Sequence, residues 1–411
     1  MKGKNLFILV VLACVLAGLA VMTSKRKSQR SAPDILGKPI WTDLPVNDVA
    51  KIVVRTADGR ATLARSNDVW VCADRFNYPA DFTKIKDGLL KLRDLKIGQV
   101  MRLSAKQTAD LKLIAPDAPA ATNKTAAGTL VQLLDAGGRS LASLLVGAAR
   151  ERSAPSPATP YGGMPEGKYV SPDGGKSIYL VGDILYEFSA NSKDWMDGDL
   201  LNVPAADVTD ISIRQPDGSE VRLSREKPGD PLKLAGLTDK EELDSSKTYG
   251  LESALSYMRL DDVANPTLSD DKLGMTTAVV FTASSTTGMI YTVRIGGTAD
   301  GGGRYARFDV ALKPPAAPAA SAAAATNAAS TNATAQVDEA KKEQEKRAQL
   351  EGDIRKLNDK LHAWTYVIAS FKTDNMTSTR STLVKEKKDE KKEEKKEEEK
   401  KTESPPPAEN H

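Results

Sequence analysis

The chain has 411 residues, with 58 basic and 55 acidic side chains and a formal net charge of +3. That balance excludes a protein that holds nucleic acid by neutralising many phosphates. Two cysteines exclude a disulfide-stapled scaffold and a thiolate zinc cluster, and two histidines, His362 and His411, leave little imidazole for metal binding or acid–base catalysis.

Residues Leu6 to Met22 form an unbroken apolar run, preceded by Lys2 and Lys4 and followed by Lys25, Arg26 and Lys27. As a helix it would be about 25 Å long, slightly short of a bilayer core, with Thr23, Ser24 and snorkelling lysines to supply the rest. A cleaved signal peptide would need a better small-residue site than Ala17-Gly18-Leu19-Ala20. A lipoprotein signal ending at Cys14 conflicts with the eight apolar residues that follow. The run therefore reads as an uncleaved single-span anchor (residues 1–24), followed by a juxtamembrane linker (25–45). Its flanking charges do not place the body outside the membrane and slightly favour the reverse.

The body reads as an internal duplication. Asp48-Val49-Ala50-Lys51-Ile52-Val53-Val54-Arg55 recurs as Asp207-Val208-Thr209-Asp210-Ile211-Ser212-Ile213-Arg214. Each copy continues through a turn, Asp58-Gly59 or Pro216-Asp217-Gly218, into a strand ending Leu63-Ala64-Arg65 or Leu223-Ser224-Arg225, as a β-hairpin requires. Phe82, Ile85, Leu89 and Leu92 then step by three and four, predicting a helix over 80–95, with a counterpart around Leu251, Leu255 and Met258. Short extended pieces follow at Ile97 to Met101 and Asp262 to Ala264. A second hairpin-like pair is predicted at 129–134 and 141–147, matching 278–283 and 290–296. Lys168-Tyr169-Val170 corresponds to Arg304-Tyr305-Ala306, and each copy closes near a tryptophan, Trp195 or Trp364.

Composition changes abruptly at Lys313-Pro314-Pro315, where an Ala-, Ser-, Thr- and Asn-rich stretch (313–337) predicts a disordered insertion. A helix is predicted from Glu339 to Ala363 on the spacing of Leu350, Ile354, Leu357, Leu361 and Trp364. It reads as docking its C-terminal half on the second copy, since the apolar seam is too short for a sustained coiled coil. From Lys385 to Lys401 every residue is charged, nine lysines and eight acids. Its period-four blocks put like charges at i,i+4, which opposes a helix, so 373–411 reads as a disordered tail.

Several motifs tempt a chemical assignment. Gly175-Lys176-Ser177 has valine at position 170 where a phosphate loop needs glycine, and reads as a turn. Asp194-Trp195-Met196-Asp197-Gly198-Asp199 places only Asp197 on a calcium-loop ligand position. The pairs Asp261-Asp262 and Asp270-Asp271 lack converging partners in sequence. Gly301-Gly302-Gly303 reads as a turn, His362 as structural, and Cys72 as a buried small hydrophobe. These readings assign no catalytic, cofactor-binding or metal-binding residue and no cofactor.

The basic-flanked span, the hairpin with Trp70, Asn77-Tyr78-Pro79-Ala80-Asp81 before a Leu-rich helix, and Trp195-Met196-Asp197 with Leu200-Leu201 resemble the bacterial domain of unknown function 4340 family. The resemblance implies a membrane-anchored protein, often encoded beside ABC-type transporter components of the gliding-motility-auxiliary kind, with its body outside the cytoplasmic membrane. The Ala-rich insertion and the Lys/Glu tail depart from that pattern. The expected architecture is thus an α+β chain: an N-terminal transmembrane helix, then two similar subdomains (46–202 and 203–312) of mainly antiparallel strands with packed helices, and a closing helix (338–372). The expected function is a non-enzymatic accessory or scaffolding protein of the cell envelope at the inner membrane, with lipid and an envelope protein, such as ABC transporter subunits, as partners and no nucleic acid. The alternative is a glycan- or small-molecule-binding module using the cleft between the copies.

Overall fold

The computed structural model describes residues 35–118, 124–151, 165–314 and 332–387. The predicted anchor, most of the Ala-rich stretch and the Lys/Glu run from residue 388 lie outside the described residues. Among the described residues no helix is long and apolar enough to cross a membrane. The chain is α+β, with mainly antiparallel strands and few helices, and divides into two compact units, Met1–Asp197 and Gly198–His411.

Unit 1 holds β1 (Lys51–Arg55), β2 (Arg60–Ser66), β3 (Val69–Cys72), β4 (Tyr78–Pro79), β5 (Ile97–Met101), β6 (Thr129–Leu134), β7 (Ser140–Glu151), β8 (Pro165–Ser171) and β9 (Ile178–Val181). They form one sheet in the order β4-β3-β2-β1-β6-β7-β8-β9-β5. Ile52, Val53 and Val54 of the central strand β1 are all buried, so both faces of the sheet are covered there. Helix α1 (Phe82–Arg93) starts where the Asp81 side chain accepts a hydrogen bond from the Lys84 N–H, at 3.0 Å. It buries Ile85, Leu89 and Leu92 along one stripe, and carries Lys91 and Arg93 in its last turn, where cations suit the helix dipole. A crossing segment that includes the short helix α2 (Ala105–Asp110) joins β5 to β6. Its Leu111 and Leu113 pack with Leu130, Leu145 and Ile178.

In unit 2 the main sheet is built from β11 (Val208–Arg214), β12 (Glu220–Ser224), β13 (Lys233–Leu234), β16 (Asp262–Val263), β17 (Val279–Ser285), β18 (Met289–Thr298), β19 (Arg304–Leu312) and β20 (Tyr366–Ile368). Their order is β13-β12-β11-β17-β18-β19-β20-β16. Apart from the extra edge strand β4, the two orders correspond place for place. Matching details recur: the Arg65 N–H donates to the Ala50 carbonyl and the Arg225 N–H to that of Thr209, both closing the first hairpin. The N–H of Ala148 reaches back to Leu111 O and that of Gly297 to Leu273 O, each at 2.8 Å, so a crossing segment lies against the glycine of the third long strand in both units.

The structure corrects several expected boundaries. Residues 35–45, expected as linker, are pinned to unit 1. Pro39 bridges to Lys96, and Leu44 is buried. The division falls after Asp197 because β10 (Asp199–Leu201) pairs with β15 (Met258–Arg259) inside unit 2. Helix α4 (Asn332–Leu361), which follows α3 (Ser245–Glu252), begins within the stretch expected to be disordered and stops before Trp364. Tyr366 to Ile368, expected within the closing helix segment, form a strand, buried at all three positions. Residues 373–387 are folded rather than tail: α5 (Ser370–Met376) and α6 (Arg380–Leu383) bury Met376 and Leu383. β21 (Val384–Glu386) then pairs with β14 (Glu241–Leu243).

The expected docking of the closing helix has a specific form. Strand β20 covers only Arg304 to Ala306 of β19, leaving the next backbone groups of β19 without a strand neighbour on that side. The Asn358 amide fills part of the gap: its Oδ1 accepts from the Val310 N–H at 3.0 Å and its Nδ2 donates to the Val310 carbonyl at 2.7 Å. Ile354 and Leu361 are buried one turn to either side. Asn358→Ala leaves both Val310 groups unmatched and is expected to destabilise unit 2 by about 1–3 kcal/mol, measured by urea unfolding.

Candidate functional site

Among the described residues the two units differ where β19 joins β20. In unit 1 the equivalent connection is a short turn, in which the Gly175 N–H donates to Ser171 Oγ and the Ser177 N–H to Asp173 Oδ1. In unit 2 it carries α4 and the loop His362 to Thr365. Beside that loop opens a pocket of about 320 Å³, at the lower end of small-molecule pocket size. It is lined from the crossing segment by Ala264, Asn265, Pro266, Leu268 and Leu273, from the sheet by Arg307, and from the loop by His362 to Thr365.

Alternation along β19 explains the polar side of this pocket. Phe308 and Val310 are buried, so Arg307 and Asp309 turn to the opposite face. The Arg307 guanidinium forks onto Asp270, with Nη2 to Oδ1 at 2.6 Å and Nη1 to Oδ2 at 3.2 Å, and its Nε donates to Thr365 Oγ1 at 2.8 Å. His362 Nε2 lies 2.9 Å from Asp309 Oδ1. Trp364 is half-buried and belongs to the lining. Three parts of the chain thus converge, although 37 residues separate Asp270 from Arg307 in sequence.

The Arg307 hydrogen bond holds the Asp270 carboxyl below the usual carboxylate range, although some desolvation opposes it; the charges of Arg307 and Arg294 assist. A lowered folded value means that the pair is fully present above the ordinary carboxylate range and is lost as pH falls through the lowered value. In a carboxyl-detected NMR titration Asp270 is expected to protonate below free aspartate, and in Arg307→Gln to return toward it.

The other candidates serve the fold. Asp194 accepts from Ser189 Oγ and Asn191 Nδ2 in a capped turn. Asp199 pairs with Arg259 at 3.3 Å. Asp262 Oδ1 accepts from the Val263 N–H, and the Asp261 N–H donates to Val367 O. Gly301 to Gly303 form the turn between β18 and β19, all with positive φ. Cys72 is fully buried, and burial, with Asp74 nearby, pushes its thiol up to about 12. In a Cys14→Ser protein, iodoacetamide at mildly alkaline pH is expected to leave Cys72 unmodified until denaturant is added. No group of three or more metal-ligating side chains occurs among the described residues.

A protein-family model described as Domain of unknown function (DUF4340) matches residues 70–278, just over half of the chain. The chain belongs to this family. Comparison with curated proteins and with solved structures returns no match. The DUF4340 match begins at Trp70 in β3 and ends just before β17. It therefore includes Asn265, Asp270 and Leu273, while Arg307, His362 and Trp364 lie beyond it. The pocket of this DUF4340 protein is thus assembled from one side inside the matched span and one side outside it.

Proposed function

We propose that this chain is a non-enzymatic accessory or scaffolding protein of a bacterial cell-envelope complex. It is held at the cytoplasmic membrane by Leu6 to Met22, with its body on the extracytoplasmic side. The observation that carries this reading is the repeated strand order of the two units, each a self-contained antiparallel sheet with its own buried core. A scaffold built by duplication presents related surfaces to related subunits, and the matched hairpin closures and crossing segments support such an origin. The carboxylates of Asp194, Asp199, Asp262 and Asp270 are engaged in turns and ion pairs, which suits a structural body. ABC transporter subunits are the partner class we propose, since the resemblance to this family implies them.

The test is affinity purification of the tagged full chain from membranes after crosslinking. Recovery of a defined envelope complex supports the reading. Recovery of the chain alone, at crosslinker levels that capture a known envelope complex, overturns it. Protease digestion of intact spheroplasts tests the orientation: the body is expected to be cleaved from outside, and protection would reverse the assignment.

A further inference from the structure

Unit 1 breaks a pairing rule beside a cavity. The register of β1 and β2 sets Arg55 directly opposite Arg60, so two guanidinium side chains leave the same face of the hairpin as cross-strand neighbours. Like charges in that position destabilise an antiparallel pair. Unit 2 keeps the rule at the equivalent place, where Arg214 stands opposite Glu220 with Nη2 3.9 Å from Oε1. Arg55 and Arg60 both line a cavity of about 400 Å³ at the hairpin tip, together with Thr56, Asp58, Pro116 and Asp117. The tip is held in shape by the Thr56 N–H, which donates to the Gly59 carbonyl at 2.9 Å. Both carboxylates of the lining are matched: Asp58 accepts from Lys124 Nζ at 2.5 Å, and Asp117 Oδ2 lies 3.2 Å from Arg55 Nη2. Three cations, Arg55, Arg60 and Lys124, thus face two carboxylates, and the surplus charge rests on Arg60. Arg60 engages its Nε, with Thr62 Oγ1 at 3.1 Å, and Arg55 its Nη2, with Gln132 and Asp117. The Nη groups of Arg60 and Nη1 of Arg55 have no hydrogen-bond partner among the described residues.

We propose that this cavity binds a phosphate monoester, its phosphoryl oxygens held between Arg60 and Arg55. Such a group presents three terminal oxygens and a charge of about −1.5 to −2 at pH 7. It can therefore accept from guanidinium groups on both strands at once and offset their repulsion. A carboxylate has two oxygens and one charge, and a single guanidinium fork saturates it. The remaining volume, beside Thr56 and Pro116, admits part of the group that carries the phosphate. The equivalent turn of unit 2 offers no such site, because Glu220 stands where unit 1 has Arg60 and would repel the anion. The inference is independent of the scaffolding role: a scaffold with or without partners can carry this site.

The test uses the full chain in a maltoside detergent and a phosphate-free buffer. Inorganic phosphate, glycerol phosphate and O-phosphoserine are titrated by calorimetry, with acetate as the comparison anion. Saturable binding of at least one phosphate probe is expected, about tenfold or more tighter than acetate. Arg60→Glu rebuilds the unit 2 pairing. It is expected to weaken phosphate binding about tenfold or more, yet to melt no lower than the wild type without ligand. Arg60→Lys keeps the charge, loses the fork and is expected to bind with intermediate affinity. Lys227→Glu makes the same change of charge on an exposed side chain of unit 2 and is expected to leave the affinity unchanged. Three results would overturn the proposal. One is no saturable binding of any phosphate probe. Another is acetate bound as tightly as phosphate. The third is a loss of phosphate affinity in Lys227→Glu as large as in Arg60→Glu, or none in either.

Discussion

Trp195→Ala is expected to cost unit 1 about 3–5 kcal/mol, the usual range for emptying a large buried aromatic site. Trp195 is fully buried, and its indole N–H donates to the Ser189 carbonyl at 2.8 Å. The Phe188 ring lies 6.2 Å away, and Phe188 also sits against Gly88 of α1. The backbone around the tryptophan matters equally. Its carbonyl accepts from the Asp81 N–H, the residue that caps α1, and Asp197 reaches Pro79 of β4. The backbone of residues 195–197 thus joins a helix start and a sheet edge, and the buried side chain, bonded to Ser189 and packed near Phe188, fixes that backbone in place. Hydrogen exchange read by mass spectrometry should show lost protection over 78–95, with the amides of unit 2 unchanged. Trp195→Phe should cost less, since it keeps most of the apolar area and loses the Ser189 hydrogen bond. A loss below about 1 kcal/mol for the alanine variant would contradict this account.

Gly296→Ala is the second large effect, and it acts by crowding. A Cβ at Gly296 would lie within 3.0 Å of the Leu273 carbonyl oxygen, a backbone atom that cannot rotate away. The crossing segment would have to lift, breaking the hydrogen bond from Gly297 to Leu273 and loosening Leu273 and Met275 from Tyr305 and Val367. Overpacking of this kind costs about 1–3 kcal/mol and sometimes more. Gly147→Ala meets the Leu111 carbonyl in the same way and should produce a comparable loss in unit 1. By contrast, Gly138→Ala has nothing nearby for its Cβ to meet, but its φ of +80° makes the loss conformational rather than steric. Urea titrations of the three variants, with hydrogen exchange assigning each loss to its unit, would separate the cases.

Much of the local architecture was legible because its signals are local. The hairpins at Asp58-Gly59 and Pro216-Asp217-Gly218 follow from apolar alternation on either side of turn residues, and α1 from the spacing of Ile85, Leu89 and Leu92. What could not be read depends on distant pairing. Nothing near Ile97 or Asp262 states that β5 and β16 cross to the far edge, beside β9 and β20. Tyr366-Val367-Ile368 is too short to show a period and follows a helix pattern directly, so a strand there was hidden. The crossing segments left one trace, a glycine inside a strand at positions 147 and 296, which signals close backbone approach. Met376 and Leu383, the anchors of residues 373–387, stand alone among polar neighbours and give no periodic pattern. The pocket was illegible for the same reason. Asp270 reads as one of a surface acidic pair until β17 to β20 bring Arg307 beside it.

The chain's path into unit 1 has a mechanical consequence. Gly37, Lys38 and Ile40 lie along the outer edge of the sheet through three hydrogen bonds to Leu95 and Ile97. Any load drawn through the N-terminal segment reaches these bonds first. Under a pull directed away from the edge such bonds open in turn, like a zipper, whereas a pull along the strip would load them together in shear. Pulled away from the edge, the short strip from Gly37 to Ile40 would lengthen before Leu44 is exposed and before force reaches β1, behaving as a compliant fuse at the entry to the folded body.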